Sequence, residues 1–146
     1  MKAILIAVAL LAGTFTKSFA SDGGTVHPLV LKSFKSTFAN ATEVDWSYSK
    51  EVYKAVFFLD GRAVTAYYNT DGTLAVLTGH ITTATLPVML QTALKNNYTD
   101  KWIADVYEVT NEAGVEYYAT LEDADCKLVL KSNGSFWNTF QKARKN

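Results

Sequence analysis

A two-residue turn constrains this chain more than any other feature. Asp60-Gly61 stands between the runs KAVFFL and RAVTAYY. Asp-Gly is among the few dipeptides that accept positive φ at both central positions of a type I′ hairpin turn. The flanking Val, Phe, Tyr and Thr residues suit a pleated sheet. A turn of fixed length also fixes register. Counting outward pairs Leu59 with Arg62, Phe57 with Val64, Ala55 with Ala66 and Tyr53 with Tyr68. One face then carries Tyr53, Ala55, Phe57, Leu59, Val64, Ala66 and Tyr68, and reads as core. The other carries Lys54, Val56, Phe58, Ala63, Thr65 and Tyr67, the mixture expected where an antiparallel sheet meets solvent.

The chain has 146 residues, 49% hydrophobic and 19% charged, which places it among ordinary globular proteins. Its first 20 residues differ from the rest. Lys2 precedes an apolar run over residues 3–11 that is too short for a bilayer span, and Ser18-Phe19-Ala20 places small residues at the −3 and −1 positions of a cleavage site. Residues 1–20 therefore read as a secretory signal peptide cleaved after Ala20, giving a periplasmic or secreted protein without a later membrane span. Removing them takes Lys2 and Lys17 and no acid, leaving 12 basic and 14 acidic residues, net −2. With no basic cluster, nucleic acid is not an expected partner, because phosphate contacts dominate that affinity. Lys142, Arg144 and Lys145 read as a solvated tail. The single cysteine, Cys126, shares an alternating face with Leu128 and Leu130 and reads as buried.

Taken in order, the mature chain alternates helix and strand patterns. After His27-Pro28, the residues Val30, Leu31, Phe34, Phe38 and Ala41 recur at helical spacing, predicting a helix that ends near Asn40. Residues 44–48 predict a strand, followed by the hairpin, a turn at Asn69-Thr70-Asp71-Gly72, and a strand over 73–77. Thr85 reads as the N-cap of a second helix with Pro87 in its first turn and an apolar stripe of Leu86, Met89, Leu90, Ala93, Leu94 and Tyr98. Strand patterns return at 102–110, 115–121, 126–132 and 135–140. The order helix, four strands, helix, four strands predicts an α+β fold. It reads as a tandem duplication of a helix plus four-stranded antiparallel unit, over about residues 26–78 and 85–141 of one domain spanning 21–146. Both helices are expected on one sheet face.

The residues Val44 and Trp46, Tyr53-x-Ala55-x-Phe57, Gly61, Ala66 and Tyr68, and Asp71-Gly72 give the chain a family likeness. In an exported protein this pattern resembles the PepSY-like, or β-lactamase-inhibitor-like, proteins of bacterial envelopes, across essentially the whole mature chain. The chain departs from that pattern at the end of the first helix, where Phe38-Ala39-Asn40-Ala41 stands in place of Phe-Pro-x-Ala. The resemblance implies tandem helix-plus-sheet units with helices on one sheet face and an open face opposite, and it implies no known enzymatic activity.

The residues themselves carry little that reads as catalysis. His27 and His80 lack metal spacing, and no activating pattern surrounds Cys126. Asn69-Thr70-Asp71-Gly72 resembles part of a calcium loop, but Tyr67 and Thr78 stand where an EF-hand needs acids. Glu122-Asp123-Ala124-Asp125 reads as a solvated acidic turn, and there is no phosphate loop or G-x-S-x-G elbow. The sequons at Asn40, Asn97 and Asn133 bear on modification only in a eukaryotic secretory pathway. What remains is surface. Val56, Phe58, Thr65 and Tyr67, with Glu116, Tyr118 and Thr120 from the second half, form the expected partner-binding face. The expected function is a non-enzymatic binding module for an envelope protein or peptide, with no cofactor. The alternative is a small-ligand or metal carrier with a pocket between helix and sheet.

Overall fold

The turn at Asp60-Gly61 forms as its chemistry requires. In the structure, a computed structural model that describes residues 17–19 and 26–145, Asp60 has φ 51° and Gly61 φ 77°. It joins β3 (Val52–Leu59) to β4 (Arg62–Asn69), and the pairing is Leu59 with Arg62, Phe57 with Val64, Ala55 with Ala66 and Tyr53 with Tyr68. β1 (Lys17–Phe19) and β2 (Thr42–Ser49) lie before the hairpin and β5 (Leu74–His80) after it, each strand beside its neighbour in sequence. Apart from β1, the expected signal segment lies outside the described residues.

The chain divides into two compact units between Thr78 and Gly79. In the first, α1 (Pro28–Thr37) covers the face that carries Ala55, Phe57, Val64, Ala66 and Tyr68. Pro28 occupies the first turn, where its missing N–H costs nothing, and the His27 ring accepts a hydrogen bond from the Leu29 N–H at 3.3 Å. Phe34 is the centre of the packing. Its ring lies 5.5 Å from Phe38, 5.1 Å from Trp46, 5.0 Å from Phe57 and 6.4 Å from Tyr68, mostly edge-to-face. Such pairs add about 0.5–1.5 kcal/mol each beyond the area they bury. Burial pushes the Tyr68 phenol up to about 12, against a smaller lowering by Ser33 of α1. The helix ends at Thr37 rather than near Asn40. The Phe38 N–H still donates to Phe34, and a turn at Ala41 then takes the chain into β2.

In the second unit, α2 (Val88–Asn97) packs Leu90 and Leu94, with Leu86 before it, on Val106, Ala119, Leu121, Leu128 and Leu130. These sheet residues lie on β6 (Trp102–Asn111), β7 (Gly114–Glu122) and β8 (Cys126–Ser132), and β9 (Asn138–Arg144) completes the order. Two expectations are corrected here. Thr85 is not the N-cap. It closes a short 3₁₀ turn by donating its hydroxyl to the Thr82 carbonyl at 2.7 Å, and Leu86, preceding a proline, is held extended, so the helix begins only after Pro87. Met89 falls on the flank of the stripe and is exposed.

The last strand is Asn138–Arg144 rather than 135–140, and the basic tail is not free. Lys145 pairs with Glu122 at 2.6 Å and lies 4.8 Å from the centre of the Trp102 ring. The acidic turn before β8 is similarly tied. Lys101 reaches Asp100 at 2.7 Å and Asp123 at 2.6 Å, while Asp123 also accepts the backbone N–H groups of Asp125 and Cys126. Lys101 and those N–H groups hold the Asp123 carboxyl far below the usual range. Cys126 is half-buried, with its sulfur 3.5 Å from Asp123.

Two glycines distinguish conformational cost from steric cost. Both Gly61 and Gly72 have positive φ, but a Cβ on Gly61 would meet nothing, whereas one on Gly72 would lie 2.8 Å from the Leu29 carbonyl oxygen of α1. Gly61→Ala is expected to cost about 1–2 kcal/mol, the left-handed backbone term alone. Gly72→Ala is expected to cost about 3 kcal/mol or more, because the helix start must also shift. Urea unfolding of the two variants checks the difference, and equal losses would mean that the Leu29 contact is absent.

Candidate functional site

Strand alternation and pairing assign a second face to each unit, opposite its helix. In the first unit Val56 pairs with Thr65, Phe58 with Ala63 and Lys54 with Tyr67. Val56 and Phe58 are 37% and 41% exposed, large apolar groups open to solvent beside the partly exposed Thr65. Tyr67 shares this face but is only 6% exposed, and burial pushes its phenol up to about 12.

The second unit builds a denser arrangement. Val106 and Ala119 face α2, so their neighbours Tyr107 and Tyr118, paired across β6 and β7, face away. Their rings stack at 5.1 Å with planes 3° apart. Phe140 meets Tyr118 edge-on at 5.5 Å. Lys131, opposite Tyr118 in β8, places its ammonium 5.6 Å from the Tyr118 ring centre and 6.0 Å from that of Phe140, and pairs with Glu116 at 2.9 Å. The Tyr118 hydroxyl donates to the other Glu116 oxygen at 3.4 Å. At the rim, His80 Nδ1 lies 2.9 Å from an Asp105 oxygen, and its ring is 6.5 Å from Tyr107.

The electrostatics favour neutral phenols beside an ion pair. Burial raises the pKa of Tyr107, with the neighbouring Tyr118 and Asp105 adding to the effect, and burial likewise raises that of Tyr118. Burial works against the Lys131 charge, but interactions with Glu116 and Tyr118 outweigh it and hold the ammonium. The phenols thus remain hydrogen-bonding groups, unsuited to nucleophilic attack at neutral pH. Among the described residues no three His, Cys, Asp or Glu side chains converge, and no helix is long and apolar enough to cross a membrane.

Of the residues expected on the partner-binding face, Val56, Phe58, Thr65 and Glu116 reach solvent, while Tyr118 and Thr120 are 2% and 8% exposed. Tyr118 lies among Tyr107, Phe140 and the Lys131–Glu116 pair. Tyr107, Lys131 and Phe140 were not expected at the site. The turn between Asn111 and Gly114 offered the signal for Tyr107, since counting outward from it pairs Tyr107 with Tyr118. α2 borders a separate groove of about 570 Å³ in the second unit, lined in part by Gln91, Lys95, Tyr98, Thr99 and Lys101.

Among the described residues the buried Tyr107 hydroxyl has no hydrogen-bond partner. Tyr107→Phe is therefore expected to leave stability unchanged or raise it by up to about 1 kcal/mol, since it removes an uncompensated polar group while keeping the stack. Thermal unfolding checks this, and a loss above about 1 kcal/mol would show that the hydroxyl is satisfied.

No family model and no curated protein matches the chain. Solved structures do. A BLIP-like protein of Bacteroides fragilis is 21% identical with TM-score 0.68, over 84% of this chain and 90% of that one. A Bacteroides eggerthii protein provisionally described as periplasmic is 16% identical with TM-score 0.71, over 83% and 90%. A DUF2874 family protein of Bacteroides ovatus is 17% identical with TM-score 0.72, over 84% and 89%. The likeness to the β-lactamase-inhibitor-like group seen in the sequence is thus met in three dimensions. The chain has the α+β fold of these BLIP-like and DUF2874 proteins of Bacteroides.

Proposed function

We propose that the protein is an exported binding module that recognises an envelope protein or peptide through the sheet faces opposite its helices, without catalysing a reaction. The observation that carries this reading is the pair Val56 and Phe58. These large apolar side chains are exposed on β3, while their neighbours Ala55 and Phe57 are fully buried on the helix side. Exposed aromatic and aliphatic groups on a rigid strand are what partner surfaces draw affinity from. In the second unit, the ammonium and carboxylate of Lys131 and Glu116 border an aromatic stack, a combination that favours a partner with both apolar and polar contact groups. Export rests on the signal pattern and agrees with the periplasmic description of one structural relative. The matching order of one helix and four strands in the two units, with Tyr53-x-Ala55-x-Phe57 answered by Tyr117-x-Ala119-x-Leu121, supports descent by duplication.

A second reading, a small-ligand carrier, draws on the groove beside α2, whose volume suits a small molecule. The two readings separate experimentally. The double variant V56A/F58A truncates side chains on the solvent side, away from the helix-covered core, so it should stay folded, with its free energy of unfolding lowered by no more than about 2 kcal/mol. A protein captured specifically from envelope extract by the wild type should be lost with this variant and retained with K95A. Retention of every captured protein by V56A/F58A would overturn the surface assignment, and a thermal shift with a metabolite that K95A abolishes would favour the groove.

A further inference from the structure

The expected signal segment leaves a trace in the sheet. Lys17–Phe19 runs antiparallel beside β2, with Lys17 opposite Tyr48, Ser18 opposite Ser47 and Phe19 opposite Trp46. These residues precede the expected cleavage after Ala20. Export would therefore remove β1 and turn β2 into an edge strand with unpaired N–H and C=O groups, a template that proteins either cover or pair. The usable stretch is short. A register irregularity lies between Thr42 and Asp45, and positive φ at Lys50 and Glu51 turns the chain away, leaving residues 45–49.

We propose that in the exported protein this edge pairs with the same edge of a second copy, about a two-fold axis at Ser47. The inference rests on the export reading, and the occupant is argued from register. A two-fold there sets Ser47 opposite the partner's Ser47, Trp46 opposite the partner's Tyr48, and Asp45 opposite the partner's Ser49. The partner's Ser47 and Tyr48 then take the register positions of Ser18 and Phe19, again a serine opposite Ser47 and an aromatic residue opposite Trp46, and the partner's Trp46 takes the position of Lys17 opposite Tyr48. The strand direction is the same. No like charges fall directly opposite one another, and Asp45 meets a hydroxyl donor. At two of the three register positions the sequence of β2 thus repeats, in a second copy, the residue type that β1 brings, and at the third it sets an aromatic residue opposite Tyr48.

The test uses the protein purified after export from its native host, with its first residue read by mass spectrometry and its mass by light scattering over a dilution series. The expected result is an N-terminus at Ser21 and a mass twice that of the chain, falling to once on dilution. S47E should give the single-chain mass at every concentration with an unchanged circular dichroism spectrum. Within one chain the new carboxylate faces Lys54 of β3, but across the two-fold it faces its own like charge. S47K should also be single, and mixing S47E with S47K should restore the doubled mass. The proposal is overturned by an exported chain that retains Lys17–Phe19, by a single-chain mass with Ser21 at the N-terminus, or by a doubled mass that S47E leaves intact. None of these outcomes involves Val56 or Phe58, so failure here and failure of the binding-face reading are distinct.

Discussion

The register of one hairpin sorts the first unit into a helix-covered side and a solvent side. A type I′ turn at Asp60-Gly61 leaves no freedom to slip, and a slip of one residue would exchange every side chain between the faces. Phe57, fully buried under α1, and Phe58, open to solvent, are adjacent in sequence, and only the register separates their fates. The aromatic group around Phe34 depends on this sorting, because Trp46, Phe57 and Tyr68 come from three strands and meet the helix only if all three keep their parity.

The two faces follow different physical rules. The helix side is an aromatic and aliphatic core, held by area and by edge-to-face ring contacts. The opposite side of the second unit is a network in which the stacked tyrosines, Phe140 and the Lys131–Glu116 pair hold one another in place. A surface whose groups are fixed before a partner arrives loses less entropy on binding. The same geometry buries Tyr118 beneath the groups around it.

The hairpin was legible in the sequence because its determinants are local: two turn residues and alternation on either side. The first helix was legible for the same reason, through the spacing of Val30, Phe34 and Phe38. The burial of Tyr118 and Thr120 was not, because it depends on side chains from other strands. Lys131 and Phe140 arrive beside Tyr118 only through the β7–β8–β9 order, past an irregularity between Val129 and Leu130 that no local pattern marks. The C-terminal strand was placed too early because Lys142 and Arg144 look like a solvated tail, and Glu122 and Trp102, which meet Lys145 just after the strand, lie far off in sequence. The second helix start was misplaced because Thr85 was given a capping role, when its hydroxyl instead closes the turn before the proline.

Radical footprinting read by mass spectrometry, on the purified protein and on the protein in its native envelope, tests the account most directly. Phe58 should be modified in the purified protein and shielded in the envelope, while Phe57 stays unmodified in both. Equal modification of Phe58 in the two settings would contradict the assignment of this face to a partner. Modification of Phe57 in place of Phe58 would contradict the register on which the account is built.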